Sequence, residues 1–135
     1  MAPRGLSLGF FGLFGRSPEL RELDKALRAA DLHPNLVPEA VKLTAVKLLM
    51  EEAGDRDPTP QAYQSAAELI AFCILGTEGF GGANGDRLVS AVGERIEAAL
   101  EAGNSLDAKL VLLMLHAKVI QPSVGDQFGL ESASE

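Results

Sequence analysis

The stretch AAELIAFCIL, residues 66–75, decides the fold, because Glu68 is its only charged residue. Thr59 is a good N-cap and Pro60 suits the first position of a helix, so the sequence predicts a helix from Pro60 to Leu75. A helix that is apolar on nearly every side is usually buried in the middle of a helical bundle. The stretch therefore predicts a central helix. Its apolar side chains cover the whole circumference: Tyr63, Leu69, Ile70, Phe72, Cys73 and Ile74.

Helix signals continue on both sides of this stretch, and strand signals are nearly absent. Ser17 and Pro18 form a cap and a first helical position like those of the central helix. The sequence LVLLMLHAKVI, residues 110–120, is the most apolar part of the chain. It predicts a second central helix, because it is too short to span a bilayer. Three other helices are predicted: residues 18–30, residues 38–53, and a helix that begins at an Asn84 cap and ends at Gly103. The second central helix begins at an Asn104 cap and ends at Gln121.

The connections between these helices are short, which favours antiparallel neighbours. The expected fold is an all-α, single-domain bundle of about five helices, mostly antiparallel, with two central apolar helices. The 135 residues suit one domain, and 47% hydrophobic residues can form a core without disulfides or a metal. We assign residues 17–121 to the bundle, residues 1–16 to an apolar leader that is ordered by docking or mobile, and residues 122–135 to a polar, mobile C-terminal tail.

The segment GTEGFGGANGD, residues 76–86, raises the question of phosphate binding, because glycine-rich loops before helices can hold phosphate groups. A P-loop also needs a lysine, and a dinucleotide-binding loop needs a preceding strand and a third glycine where Asn84 stands. Glu78 and Asp86 would repel a phosphate. The segment is therefore predicted to be a flexible crossover, in which Gly76 ends one helix and Asn84 caps the next.

The charge of the chain argues against nucleic-acid binding, because the net charge is −7 and such binding needs a basic surface. Residues 1–50 carry seven Lys/Arg and five Asp/Glu, whereas residues 51–135 carry five and fourteen. This asymmetry predicts either an ordinary soluble acidic surface or an acidic face that meets a basic partner. A single cysteine excludes an internal disulfide and favours a reducing, cytoplasmic location. No apolar run reaches the ~20 residues of a bilayer span, so no transmembrane segment is predicted.

The leader, MAPRGLSLGFFGLFGR, has the charged start and the apolar middle of a signal peptide but lacks a small-x-small cleavage site. We expect Phe10, Phe11 and Phe14 to dock on the protein's own core or on a second subunit. Peripheral contact of these residues with a membrane surface is an alternative.

Residues that could carry out chemistry are few. Cys73 lies in the predicted central helix, where burial raises the pKa of a thiol and makes it inert. The two histidines are His33, in a loop, and His116, on a helix predicted to be buried, and neither belongs to a metal-binding motif. We therefore predict no cofactor and no metal. One alternative stays open: a small-ligand site, metal site or active site between the two central helices near Cys73 and His116.

The phenylalanines give the main functional clue, since only Phe72 of the six lies in a predicted helix. The other five either plug the ends of the bundle or form a contact patch, because burying each can contribute ~1.5–3 kcal/mol. We predict plugs at Phe80 and Phe128 and a contact surface in the leader. The expected function is a non-catalytic acidic helical protein that acts through protein–protein interaction or self-association. The candidate interaction residues are Phe10, Phe11, Phe14, Phe80 and Phe128.

Overall fold

The computed structural model describes residues 17–130. Within this range the chain forms six α-helices and no strand, so the predicted all-α class is confirmed. The helices are α1 (Pro18–Ala29), α2 (Glu39–Ala53), α3 (Pro60–Asn84), α4 (Asp86–Ala102), α5 (Leu106–Ala117) and α6 (Pro122–Phe128), and a short 3-10 helix (Pro34–Leu36) precedes α2.

Three helices begin at a hydroxyl side chain. The side chains of Ser17, Thr59 and Ser105 accept hydrogen bonds from the backbone N–H three residues later, at 3.2, 3.0 and 3.1 Å. Each bond satisfies a donor that has no partner inside its own helix. The caps predicted at Ser17 and Thr59 are confirmed. The cap predicted at Asn104 is wrong, because Gly103 takes the left-handed turn that ends α4 and the connection continues one residue further.

The centre of the molecule is α3, which packs most extensively against α1 and α4 and also contacts α5 and α6. Small residues allow several helices to approach it closely, since an alanine side chain adds little width to a helix. From Ala66 to Cys73 only Glu68 is not fully buried. The side chains of α3 with almost no exposed surface are Ala66, Ala67, Leu69, Ile70, Ala71, Phe72, Cys73 and Phe80.

The glycine-rich segment is helical after Gly76, so its prediction as a flexible crossover is wrong, whereas the predicted end of the preceding helix at Gly76 is confirmed by a break in the helix there. α3 breaks at Gly76, where φ is 84° and ψ is 169°, and then continues to Asn84. These dihedral angles are almost confined to glycine. Close to the break, the backbone N–H of Gln121 donates to the carbonyl of Cys73 at 2.8 Å. This hydrogen bond connects the segment that leads into α6 to the part of α3 next to the break.

A second glycine break separates α3 from α4. Gly85 has a φ of 94° and a ψ of 158° and stands at the N-cap of α4, where no side chain caps the helix. The cap predicted at Asn84 is therefore wrong. The amide Nδ2 of Asn84 instead donates to the carbonyl of Ala30, which lies at the end of α1, at 3.0 Å. Asn84 thus joins two helix ends, and the glycine segment holds its neighbours in place.

The segment predicted as a mobile tail contains α6, which packs on α3. Val124 is fully buried, and the ring of Phe128 lies 6.2 Å from that of Phe72 in an edge-on arrangement. The helical part of the chain therefore extends to Phe128, beyond the predicted boundary at residue 121.

The length of α3 has one further consequence. By length and composition alone it could cross a membrane, since one 18-residue window has a mean hydropathy of 1.3. Half of that window is buried inside the molecule, and the central helix of a soluble protein meets the same criterion.

Candidate functional site

Five large apolar side chains are exposed in residues 17–130. They occur on α2, α4, α5 and the turn before α2, and none occurs on α1, α3 or α6 of the described range. A single exposed apolar group is common on protein surfaces, whereas a contiguous patch of several is not. The exposed residues are Leu36 at 61%, Leu43 at 51%, Met50 at 45%, Leu100 at 48% and Leu112 at 53%.

Two of these leucines line one groove. Leu100 of α4 and Leu112 of α5 stand at a groove of about 170 Å³ between the two helices. Small residues also line the groove, at Ala99, Gly103 and Ala108. Small residues flanked by large ones leave a gap that no other side chain of residues 17–130 closes off from the surface.

Charged side chains flank this groove on both sides. Glu97 and Glu101 are exposed on α4 at a spacing of four residues, on the outward side of Leu100. Lys109 and His116 are exposed on α5 at spacings of three and four residues from Leu112, so these three side chains share one helix face. Across the described range none of the four charged or titratable side chains takes part in an ion pair. We call this surface the α4–α5 face and define it as Glu97, Leu100, Glu101, Lys109, Leu112 and His116.

The α4–α5 face has a rigid support. The guanidinium of Arg95 donates two hydrogen bonds to the carboxylate of Asp107, at 2.8 and 3.0 Å. A two-point contact of this kind fixes direction as well as distance, so it holds α5 at a defined position against α4. The side chains of the pair are only about a quarter exposed, at 25% and 27%, which reduces the competition from water.

Two further grooves lie among the described residues. One of about 450 Å³ lies between the end of α5 and α6 and contains Lys118, Ile120, Asp126 and Leu130. It shares Leu115 with the groove of the α4–α5 face, so the two are neighbours along α5. The other, of about 200 Å³, lies where the end of α2 meets Thr59, Ala62 and Leu106.

The structure separates the two residues of the alternative ligand site. Cys73 has no exposed surface, and burial raises the pKa of its thiol to about 12, although the positive charge of Arg95 acts in the opposite direction. His116 lies on the outward side of α5 and is exposed, contrary to the prediction that its helix is buried. The two side chains therefore do not line a common cleft. Within residues 17–130 no group of three His, Cys, Asp or Glu side chains is placed to hold a metal ion.

The interaction candidates among the phenylalanines fall into two groups. Phe80 is fully buried with its ring 5.5 Å from that of Phe72, so it cannot contact a partner. Phe128 is half-buried against the same ring. Phe72, Phe80 and Phe128 thus form an internal aromatic cluster that joins the two halves of α3 and α6. Phe10, Phe11 and Phe14 lie outside the described residues.

Sequence reasoning missed the α4–α5 face. The sequence predicts a second central helix over residues 110–120, whereas Leu112 of that helix is about half exposed, as is Leu100. One signal in the sequence was available: Lys109, Leu112 and His116 recur at helical spacing, which puts two polar groups on the same side as a leucine. A fully central helix would not carry that pattern.

Comparison of the chain with protein-family models, with curated protein sequences and with solved structures gives no match. The geometry of the chain itself is therefore the basis for assigning a function.

Proposed function

We propose that this chain is a non-catalytic protein that acts by binding another protein or a second copy of itself, with the α4–α5 face as the contact surface. The observation that carries the proposal is the pair of half-exposed leucines, Leu100 and Leu112, around a groove with charges on both sides. Protein interfaces combine an apolar centre with a polar, charged rim, and the α4–α5 face has this arrangement.

The energetics support a contact at this surface. Each leucine leaves about half of its side chain in water, and complete burial of an aliphatic side chain is worth ~1.5–3 kcal/mol. The fixed position of α5 on α4 lowers the entropic cost of binding, because the leucines are held in place before a partner arrives.

The side chains that could take part in a reaction support a binding function more than a catalytic one. The thiol of Cys73 is protonated at neutral pH and enclosed, which does not suit a nucleophile. The alternative of an enzyme or a ligand or metal site near Cys73 and His116 would need both groups in one cleft, and their positions give it no support.

The charge and the cysteine content of the chain indicate the kind of partner and the cellular location of the protein. We expect a protein rather than a nucleic acid, because a net charge of −7 opposes contact with phosphate backbones. A single, enclosed cysteine is consistent with a cytoplasmic location.

The test is recovery of partners from the native cell. The tagged chain and its Leu100→Gln/Leu112→Gln variant are purified under identical conditions and the bound proteins are identified by mass spectrometry. We expect the wild-type chain to retain a protein, or an untagged copy of itself, that the variant loses. The control is Leu43→Gln, a leucine of similar exposure on α2, which should leave recovery unchanged.

Two results would contradict the proposal. One is identical recovery by the wild-type chain and the double variant. The other is a stoichiometric metal ion or small molecule in the purified wild-type protein, measured by elemental analysis and by mass spectrometry of the extracted material.

A further inference from the structure

We infer that the partner at the α4–α5 face is a second copy of this chain, related to the first by a two-fold axis that lies in the contact plane and runs along the groove between Leu100 and Leu112. The inference rests on the proposed function and makes it more specific. A two-fold contact uses the same surface on both subunits, so that surface must be complementary to itself.

The charges of the α4–α5 face satisfy this requirement. Carboxylates lie on the α4 side, at Glu97 and Glu101, whereas the ammonium of Lys109 and the imidazole of His116, which can donate a hydrogen bond to a carboxylate, lie on the α5 side. Rotation by 180° about an axis along the groove exchanges the two sides. The carboxylates of one copy then lie opposite Lys109 and His116 of the other, and each pairing occurs twice.

The apolar centre of the α4–α5 face is also complementary to itself. Leu100 and Leu112 stand on opposite sides of the groove, so the same rotation brings Leu100 of one copy towards Leu112 of the other. A cavity of about this size, 170 Å³, can hold a group as large as a benzene ring, and therefore a leucine side chain from the second copy.

The rest of the exposed apolar surface does not have this symmetry. Around Leu43 and Met50 on α2 the exposed charges are Glu39, Lys47 and Glu51, which follow one another along a single helix. No acidic row faces a basic row there across an apolar centre. The arrangement at the α4–α5 face is therefore specific to that face.

The first measurement is the mass of the full chain by light scattering over a concentration series. The chain has a mass of 14.2 kDa, and we expect a value that approaches twice this mass at high concentration. A single-chain mass at every concentration overturns the inference. If the Leu100→Gln/Leu112→Gln variant nevertheless loses a captured protein, the proposed function survives and only the two-fold dimer is excluded.

The second measurement is a charge-reversal cycle. Lys109→Glu and Glu101→Lys, made separately, place like charges opposite each other twice per dimer, and each should raise the dissociation constant at least tenfold. The double variant Lys109→Glu/Glu101→Lys restores opposite charges and should restore a dimer close to that of the wild type. Both positions are exposed, and circular dichroism verifies that the variants remain folded.

The matched control is Lys47→Glu on α2, an exposed lysine outside the α4–α5 face, which should leave the dissociation constant unchanged. A dimer that responds equally to Lys47→Glu and Lys109→Glu overturns the inference. A double variant as weak as the two single variants overturns it too, because it shows that the two charged positions do not face each other across the axis.

Discussion

The two most apolar stretches of the chain have different surroundings. The stretch from Ala66 to Cys73 in α3 is enclosed on all sides apart from Glu68. The stretch that forms α5 buries only Leu110, Val111 and Met114 completely, while Leu112 is about half exposed. Both stretches predict a central helix by composition, yet only one of them is central.

The difference follows from side-chain size and from the number of neighbouring helices. α3 contains alanines on several sides, and helices α1, α4, α5 and α6 all pack on it. α5 packs on α2, α3 and α4, and its outer side carries Leu112, which no other helix of residues 17–130 covers. An apolar pattern shows that a helix needs contacts, but it does not show whether the contacts belong to the same chain.

The largest effect should come from the enclosed region. Phe72→Ala removes a fully buried ring that contacts both Phe80 and Phe128, so the free energy of unfolding should fall by ~3–5 kcal/mol. Urea denaturation followed by circular dichroism measures the loss. Phe128→Ala, which removes the half-buried ring of the same cluster, is the control and should cost less. Equal losses in the two variants would show that Phe72 is not the centre of the cluster.

A smaller loss is expected at the break of α3. Gly76→Ala places a side chain at a φ of 84° and a ψ of 169°, a conformation that costs non-glycine residues ~1–3 kcal/mol. The new Cβ would also lie 3.4 Å from side-chain atoms of Gln121 and Ser123. Urea denaturation should therefore show a loss in this range.

Gly82→Ala is the matched control for Gly76→Ala. Gly82 is helical, and a Cβ at this position would meet no atom of a packed neighbour within 4 Å. Because glycine weakens a helix relative to alanine, Gly82→Ala should raise the free energy of unfolding by ~0.5–1 kcal/mol. The two substitutions are the same chemical change in two parts of one helix, with opposite expected signs. A loss of stability at both positions would mean that the segment does not form a helix broken at Gly76.

The thiol of Cys73 gives a pH-dependent test of enclosure. Its pKa is raised from 9.0 to about 12 in the folded chain, because burial opposes the thiolate. Above pH 9.0 the unfolded chain releases this proton while the folded chain keeps it. The contribution of the thiol to the free energy of unfolding is therefore complete below pH 9.0 and is lost as the pH rises toward about 12. In that window stability should fall by up to ~1.4 kcal/mol per pH unit through this group alone.

The measurement is urea denaturation of the wild type and of Cys73→Ala at several pH values above 9.0. Tyr63, whose pKa is also raised, mainly by burial, titrates in both proteins, so the difference between them isolates the thiol. The variant should lose stability less steeply with pH. Parallel slopes would indicate that the thiol ionises as easily in the folded chain as in the unfolded chain.

Local signals in the sequence were enough to predict the all-α class and the starts of α1 and α3. The hydroxyl caps at Ser17 and Thr59 act within one helical turn, so they can be recognised without knowledge of the fold. The glycine segment was predicted wrongly, because its helical form depends on distant contacts: Asn84 bonds to Ala30, and Phe80 packs on Phe72. Helix α6 was missed for the same reason, since seven residues form a stable helix only through contacts such as that of Phe128 with Phe72.

The spacing of Lys109, Leu112 and His116 is a local signal of the α4–α5 face on α5, but the rest of the face was not predictable from the sequence, for a related reason. Which side of an apolar helix remains uncovered depends on how many helices surround it, and spacing within one helix does not contain that information. Leu100 follows the core residue Ala99 directly, and only the position of α5 decides that one is buried and the other half exposed.

The smallest effect on stability should come from a substitution on the outer side of α5. This substitution also distinguishes most directly the partly exposed helix α5 from the enclosed helix α3. Leu112→Gln replaces a half-exposed side chain, so in dilute solution the free energy of unfolding should change by no more than ~0.5 kcal/mol. Because association stabilises only the folded chain, the melting temperature of the wild type should rise with protein concentration. The melting temperature of Leu112→Gln should stay constant, whereas that of Leu43→Gln should rise like the wild type. A large loss in dilute solution would instead mean that Leu112 belongs to the core of a single chain, as the residues of α3 do.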